Sequence, residues 1–217
     1  MDYEQSRHNM IEQQIRPWEV LDSRILELLK RVKREDFVPE AYRSLTFVDM
    51  PVPIGHGESM WEPKLEARVL QALDVKPGDR VLEIGTGSGY LAALLASLAA
   101  EVVSVEIVPE LKEAAEAKLK AHGLDNVECK LGDGARDWAE DGMFDVIVLA
   151  GSSPVLPETY LARLKAGGRL FAVVGEGPAM AATLATCTAP GACRREVLFE
   201  TCVKALANAL EPERFAF

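Results

Sequence analysis

The residues of this chain that could do chemistry concentrate in Val81-Leu82-Glu83-Ile84-Gly85-Thr86-Gly87-Ser88-Gly89-Tyr90. An apolar run suited to a strand feeds a turn with glycine at every second position, and a helical run follows. Such a turn lets backbone approach a ligand and aims helix-start N–H groups at an anionic group. A dinucleotide fingerprint, G-x-G-x-x-G, would need glycine at position 90, where Tyr90 stands. The G-x-G-x-G spacing therefore argues against a nicotinamide or flavin cofactor. Glu106 ends the next apolar run, 21 residues after Gly85, and a carboxylate there in a doubly wound fold accepts hydrogen bonds from ribose hydroxyls and excludes a 2′-phosphate. Asp133, within Gly132-Asp133-Gly134, follows the third run, where an adenine edge would lie. Glu83 sits inside an apolar run and, if buried, must be paired or hydrogen-bonded; a ligand amino group, directly or through water, is a candidate partner. Glu83, Gly85, Thr86, Gly87, Ser88, Gly89, Glu106, Asp133 and Gly134 thus outline a site for a ligand carrying one nucleoside.

The elements that must position these residues are legible from periodicity. From Arg80 onward the short runs RVLEIG, EVVSVEI, NVECKL, FDVIVLA and GRLFAVVG are apolar on both faces, as parallel strands covered by helices are. Between them YLAALLASLA, PELKEAAEAKLKAHG and LPETYLARLKAG are helical by period, the second opening at Pro109 and ending at Gly123, with Glu116 and Lys120 spaced for an i, i+4 pair. The alternation predicts a doubly wound α/β sheet. After Gly175, LATCT and REVLFETCVKAL predict two late strands joined at Pro190 and Gly191, and the polar tail EPERFAF reads as loosely held. Upstream, Ile25, Leu28, Leu29 and Val32 fall at helical spacing behind Asp22 or Ser23 as N-cap, and a second helix spans Lys64 to Leu73 behind Pro63. Between Phe37 and Pro63 lies an irregular run with four of the twelve prolines; a long irregular segment inside a compact domain is usually functional, which suggests a lid or a substrate-facing wall.

Length and composition limit the reading further. A chain of 217 residues, 48% hydrophobic and 27% charged, fits one α/β domain divided into an N-terminal helical and lid segment (1–75), a ligand-binding core (76–175) and a C-terminal strand pair and tail (176–217). The net charge of −10 disfavours a non-specific grip on nucleic acid or anionic lipid. Cys129, Cys187, Cys193 and Cys202 form no C-x-x-C pair, and with three histidines no metal cage is expected; reduced thiols in a cytoplasmic protein follow. No apolar stretch is long enough to span a membrane. His56 in its glycine loop could be a general base but reads as a solvent-exposed residue; His8 and His122 read as surface positions, Trp18 and Trp138 as packing residues, and the run KRVKRED at 30–36 as a solvated helix end.

E-I-G-T-G-S-G-Y, Glu106, G-D-G at 132–134 and F-D-V-I-V from Phe144 resemble a class I S-adenosylmethionine-dependent methyltransferase. More narrowly, V-L-E-I-G-T-G-S-G-Y-L-A-A-L-L-A, preceded by R-E-D-F-V-P-E-A-Y and D-M-P-V-P-I-G, resembles the protein-L-isoaspartate O-methyltransferase family, over about residue 10 to Gly175. The resemblance implies a Rossmann-like seven-stranded sheet whose last two strands lie near the C-terminus, S-adenosylmethionine as methyl donor, and a protein or peptide carrying isoaspartate as acceptor, in a repair role.

The acceptor loop departs from that pattern. The resemblance implies G-Q-T-I-S-Q-P after P-I-G, with the serine hydroxyl facing the isoaspartyl carboxylate and the methyl group. Here the stretch is Gly55-His56-Gly57-Glu58-Ser59-Met60-Trp61-Glu62-Pro63, which puts Trp61 in the serine's place and Glu62 in that of a glutamine. Trp61 and Ser59 are therefore the candidate catalytic positions, Ser59 as the replacement hydroxyl. An indole donates one N–H but fills far more space than a hydroxymethyl group, and loss of a hydroxyl contact to a carboxylate predicts roughly a ten- to hundredfold deficit on isoaspartyl peptides. The strand F-V-P-L with which the family tends to close is also absent from 195–217. A methyltransferase of the same fold with another acceptor, or a cofactor-binding protein without isoaspartyl activity, are the alternatives; Trp61 and Glu62 separate the first, and turnover of labelled cofactor the second.

Overall fold

The structure, a computed structural model, describes residues 2–189 and 192–212. Asp2 accepts the N–H of Gln5 and starts α1 (Tyr3–Met10), which continues through a π turn at Ile11–Ile15 and a 3-10 turn at Arg16–Trp18. Asp22 caps α2 (Ser23–Arg31) by accepting the N–H of Arg24, and Ile25, Leu26, Leu28 and Leu29 bury its apolar stripe. The proline-rich run then folds into a 3-10 turn (Glu40–Leu45) and a small antiparallel hairpin of β1 (Val52–Gly55) and β2 (Glu58–Met60). Pro63 opens α3 (Pro63–Leu73).

The predicted alternation follows: β3 (Arg80–Ile84), α4 (Tyr90–Ala96), β4 (Glu101–Glu106), α5 (Pro109–Ala121), β5 (Val127–Leu131), β6 (Phe144–Ser153), α6 (Glu158–Ala162), β7 (Leu164–Val174), β8 (Met180–Ala189) and β9 (Ala192–Thr201). They form one seven-stranded sheet in the order β5-β4-β3-β6-β7-β8-β9, parallel from β5 to β7 and antiparallel from β7 to β9. Alternate residues serve opposite faces. Val81, Val102, Val146, Val148, Phe171 and Val173 join a core with the N-terminal helices, α3 and α4. Leu82, Ile84, Val103, Val105, Ile147 and Leu149 join a second core with Tyr160 and Leu161 of α6. Both faces are covered, which is why these strands read as continuous apolar runs. Among the described residues no helix is long and apolar enough to cross a membrane.

Several expectations fail for identifiable reasons. LPETYLARLKAG is helical only to Ala162, because Phe144 already donates to the carbonyl of Arg163 (2.9 Å) and Leu164 pairs with Phe144 in the sheet; tertiary pairing overrides helix propensity. Glu116 takes its partner from the preceding turn, Lys112 at 2.6 Å, rather than from Lys120. Cys187 and Cys193, directly opposed in the β8–β9 ladder, form a disulfide, so only Cys129 and Cys202 are free thiols. The 30–36 charge run is not a solvated helix end: Val32, Arg34 and Glu35 are buried. The turn at Pro190 and Gly191 and most of the tail lie outside the described residues.

Candidate active site

The chain leaves β3 toward β4 and returns to β6 on the other side of β3, so the carboxyl ends of these strands flank a topological switch point, the usual ligand crevice of such sheets. A cavity of about 350 Å³ opens there, within the range of small-molecule sites. One wall is built from strand ends: Ile84, Gly85 and Gly87 after β3, Glu106 and Ile107 at the end of β4, Gly132 to Ala135 after β5. The other wall is Pro51, Ile54 and Glu58 to Glu62 from the β1–β2 hairpin and its exit, and residues 201–207 form the third side. The irregular run between Phe37 and Pro63 does face the cavity.

On the strand-end wall the glycine turn is held from within. The N–H groups of Gly85 and Thr86 donate to the carbonyl of Val105 (2.8 and 3.3 Å), Gly89 N–H to the carbonyl of Thr86 (2.9 Å) and Gly87 N–H to Glu106 Oε2 (2.8 Å). The N–H groups of Gly85, Thr86, Gly87 and Gly89 are therefore not offered to an anion as expected; there the turn contributes space, and β4 supplies the Glu106 carboxylate. Gly87 and Gly89 need their glycine, at φ 53° and 85°, and a Cβ on Gly89 would stand 3.0 Å from that of Ala115. The other oxygen of Glu106 accepts the N–H of Val108 at 3.0 Å. A carboxylate has about four lone-pair positions, so Glu106 keeps acceptor capacity toward the cavity. Asp133 accepts from Ala135 N–H (3.0 Å) and the Asn208 amide (2.9 Å) on the cavity rim.

Of the other predicted residues, Thr86 and Ser88 border a smaller recess between the glycine turn, Trp61 and Glu66. Gly89 and Glu83 lie behind these surfaces. Glu83 is fully buried; Oε2 accepts the hydroxyl of Ser104 at 2.5 Å, Ser104 in turn meets the Thr86 hydroxyl at 2.6 Å, and Oε1 has no hydrogen-bond partner. Burial pushes its carboxyl up to about 8 against the hydrogen bond from Ser104, with Glu106 and Glu66 adding repulsion. Burial thus favours the neutral form of Glu83, which supports the turn from below through Ser104 and Thr86.

On the hairpin wall Ser59 is exposed and Trp61 half-buried, its ring packed edge-on against Phe171 with centroids 6.2 Å apart. Glu62 lies 3.6 Å from Lys64, which also binds Asp49 at 2.6 Å, so its charge is partly offset. His56 is an exposed turn residue at φ 53°, outside the cavity. Trp18 packs on Phe199 and under Lys64, and Trp138 donates to Glu140 with its ring against Gly132; neither lines the cavity.

Two contributors to this wall escaped the sequence reading. Arg34, 1% exposed, pairs with Glu66 and donates to the carbonyls of Thr46 (3.0 Å) and Trp61 (2.6 Å), with its guanidinium over the Tyr90 ring at 5.0 Å. It clamps the acceptor loop onto α3. A signal existed: Glu66 shares the helical stripe of Val69, Leu70 and Leu73, so a carboxylate on a buried face required a cation. Residues 201–207 run across the end of β6, where Ser152 donates to the carbonyl of Lys204 and Leu206 donates to that of Ser152, both at 2.9 Å. Gly151 permits that approach; a Cβ there would stand 2.8 Å from Leu206. No local pattern marks this crossing.

Comparison with known proteins agrees with this architecture. The family model for protein-L-isoaspartate(D-aspartate) O-methyltransferase matches residues 5–197. A protein-L-isoaspartate O-methyltransferase of Myxococcus xanthus is 46% identical over 156 residues, covering 72% of this chain and 74% of that protein. One from Rhodopseudomonas palustris is 43% identical over 169 residues, covering 78% and 69%. A solved protein-L-isoaspartate O-methyltransferase superposes with TM-score 0.80 at 26% identity over 93% of this chain, which spans 66% of that one. A Plasmodium falciparum structure described as a beta-aspartate methyltransferase in complex with S-adenosyl-L-homocysteine shares the fold, at TM-score 0.74, 23% identity and coverage of 95% and 99%. With its sheet order, its switch-point cavity and a family match over most of its length, this chain belongs to the protein-L-isoaspartate(D-aspartate) O-methyltransferase family.

Proposed function

We propose that this protein transfers a methyl group from S-adenosylmethionine to the free carboxylate of isoaspartyl residues in proteins or peptides. The observation that carries the reading is one cavity with Glu106 and Asp133 on the strand-end wall and the hairpin residues Ser59 to Glu62 facing them. The residues present fit a sulfonium nucleoside: Glu106 keeps lone pairs for the ribose hydroxyls, Asp133 on the rim offers a carboxylate to an adenine amino group, and Ile84, Ile107 and Ala135 supply apolar surface for the base. When bound, S-adenosylmethionine supplies a methyl group on a positively charged sulfur, open to displacement by an oxygen nucleophile.

The protein's own residues bind, align and exclude water. In-line transfer needs the reacting atoms about 3 to 3.5 Å apart and little solvent. The third-side segment 201–207 and the hairpin close over the cavity, and Arg34 fixes Trp61 through its carbonyl. A carboxylate acceptor, with an ordinary pKa near 4, is already ionised at neutral pH and needs no general base. In this reading residues 1–75 shape the acceptor side, 76–175 hold the donor and, within 176–217, residues 201–207 complete the enclosure. A second reading, transfer to a different acceptor, is favoured by the indole of Trp61 on the acceptor wall. The deciding experiment incubates the protein with an isoaspartyl peptide and methyl-labelled S-adenosylmethionine. Base-labile methyl ester, read as released methanol, is expected; labelled product on other acceptors without it would favour the second reading.

A further inference from the structure

The charges around the cavity are lopsided. Glu58, Glu62, Glu106 and Asp133 line it, and among the described lining residues Lys204 is the one cationic side chain. Arg34 is shut away behind the loop, and Lys64 is occupied by Asp49 and Glu62. A carboxylate entering this space meets four like charges and a single counter-ion. Lys204 pairs with Glu58 and donates to the carbonyl of Gly57 at 3.0 Å, so its ammonium bridges the third-side segment to the hairpin at the mouth of the cavity. Its backbone is fixed against Ser152, so the side chain swings from an anchored base. The pair is solvent-accessible, with side chains 59% and 35% exposed, and such pairs are weak and exchangeable.

We infer that Lys204 is the specificity-determining cation for the acceptor, whose carboxylate takes the place of Glu58 on the Lys204 ammonium. The inference rests on the proposed carboxylate methylation. It also answers the loss of the serine hydroxyl at Trp61, because an ammonium makes a stronger, charge-assisted hydrogen bond to a carboxylate than a neutral hydroxyl does. Held by one oxygen, the acceptor keeps the other free to attack. Glu58 then acts as an internal competitor that keeps the cation in place until an acceptor arrives.

The test titrates a short isoaspartyl peptide into the protein saturated with S-adenosylhomocysteine, using wild type, Lys204→Met, Lys204→Arg, Glu58→Gln and the Glu58→Gln/Lys204→Met combination. Lys204→Met should weaken peptide binding at least tenfold without changing S-adenosylhomocysteine affinity, and Lys204→Arg should restore most of it. Glu58→Gln should tighten binding severalfold in the wild-type background and have a clearly smaller effect once Lys204 is gone, when only relief of like-charge repulsion is left. Equal peptide affinity in wild type and Lys204→Met, or no peptide binding by wild type, would overturn the inference. So would a Glu58→Gln effect that is undiminished without Lys204. Methyl transfer by the same variants, assayed with S-adenosylmethionine in place of S-adenosylhomocysteine, separates the two claims: Lys204-dependent binding without ester formation removes the proposed function alone, whereas ester formation with a KM indifferent to Lys204→Met removes the inference alone.

Discussion

The two walls of the cavity are built by different means. The strand-end wall uses Gly85, Gly87, Glu106 and Gly132 to Gly134, placed by the ends of parallel strands, with the backbone N–H groups of Gly85, Gly87 and Gly132 tied to Val105 and Glu106. The hairpin wall is assembled from positions 51–62 and 201–207, joined across 147 positions of sequence by Lys204 on Gly57 and clamped by Arg34 on Trp61. The first is set by the sheet itself and changes only with it. The second hangs on a few side chains, so its chemistry can vary while the fold persists. The substitution of Trp61 and Glu62 falls on that wall, and the glycine turn keeps its full pattern.

The largest expected effect comes from breaking the hairpin wall at its clamp. Arg34→Met strips the buried Glu66 of its counter-charge, and breaking a buried pair costs about 3–5 kcal/mol. Guanidinium unfolding should show that loss, and Arg34→Met with Glu66→Leu should recover most of it; a loss below about 1 kcal/mol in the single variant would mean the pair is not what fastens the loop.

Next comes a pH effect beneath the strand-end wall. The carboxyl of Glu83 is raised from 4.5 to about 8, so the folded state holds a proton that the unfolded state releases. Its stabilising contribution is complete below the unfolded value and is lost as pH rises through about 8. At about 1.4 kcal/mol per pH unit, this amounts to a few kcal/mol between pH 5 and 8. Thermal unfolding of Glu83→Gln across that range should give a flatter profile than wild type; parallel profiles would place the titration elsewhere.

On the same wall Glu106→Ala should weaken S-adenosylhomocysteine binding roughly ten- to hundredfold, about 1.5–3 kcal/mol, by deleting charge-assisted hydrogen bonds. Calorimetric titration with wild-type affinity would remove Glu106 from the donor site. The smallest expected change sharpens the contrast between walls: Trp61→Ser with Glu62→Gln should raise isoaspartyl methylation by about tenfold while S-adenosylhomocysteine affinity stays constant, a gain of about 1.4 kcal/mol in transition-state binding. If cofactor affinity moves with it, the walls are not independent.

Legibility followed the same division. Gly85 to Gly89, Glu106 and Asp133 could be singled out as donor-site candidates because βα units repeat a local grammar: apolar run, turn, helix, with acidic residues at fixed places after the strands. The acceptor loop was readable as a departure from a family pattern, which identified Trp61 but not what positions it. Arg34 was misread because KRVKRED has the composition of a solvated face, and its burial depends on Glu66, 32 positions away. Cys187 and Cys193 were misread because residue counts do not reveal that they face each other across the β8–β9 ladder.

The sequence by itself determined the sheet, the donor turn and the carboxylates that flank it, because hydrophobic periodicity and glycine placement act over a few residues and parallel strands leave little freedom in how their ends meet. Only the tertiary structure decided that the turn ties most of its N–H groups to β4, that Glu83 is buried behind the site, that Arg34 is a buried clamp and that Lys204 is the one cationic side chain among the described lining residues. Each of those outcomes depends on which charge loses its water and which partner replaces it, and that is settled by contacts between segments far apart in the chain.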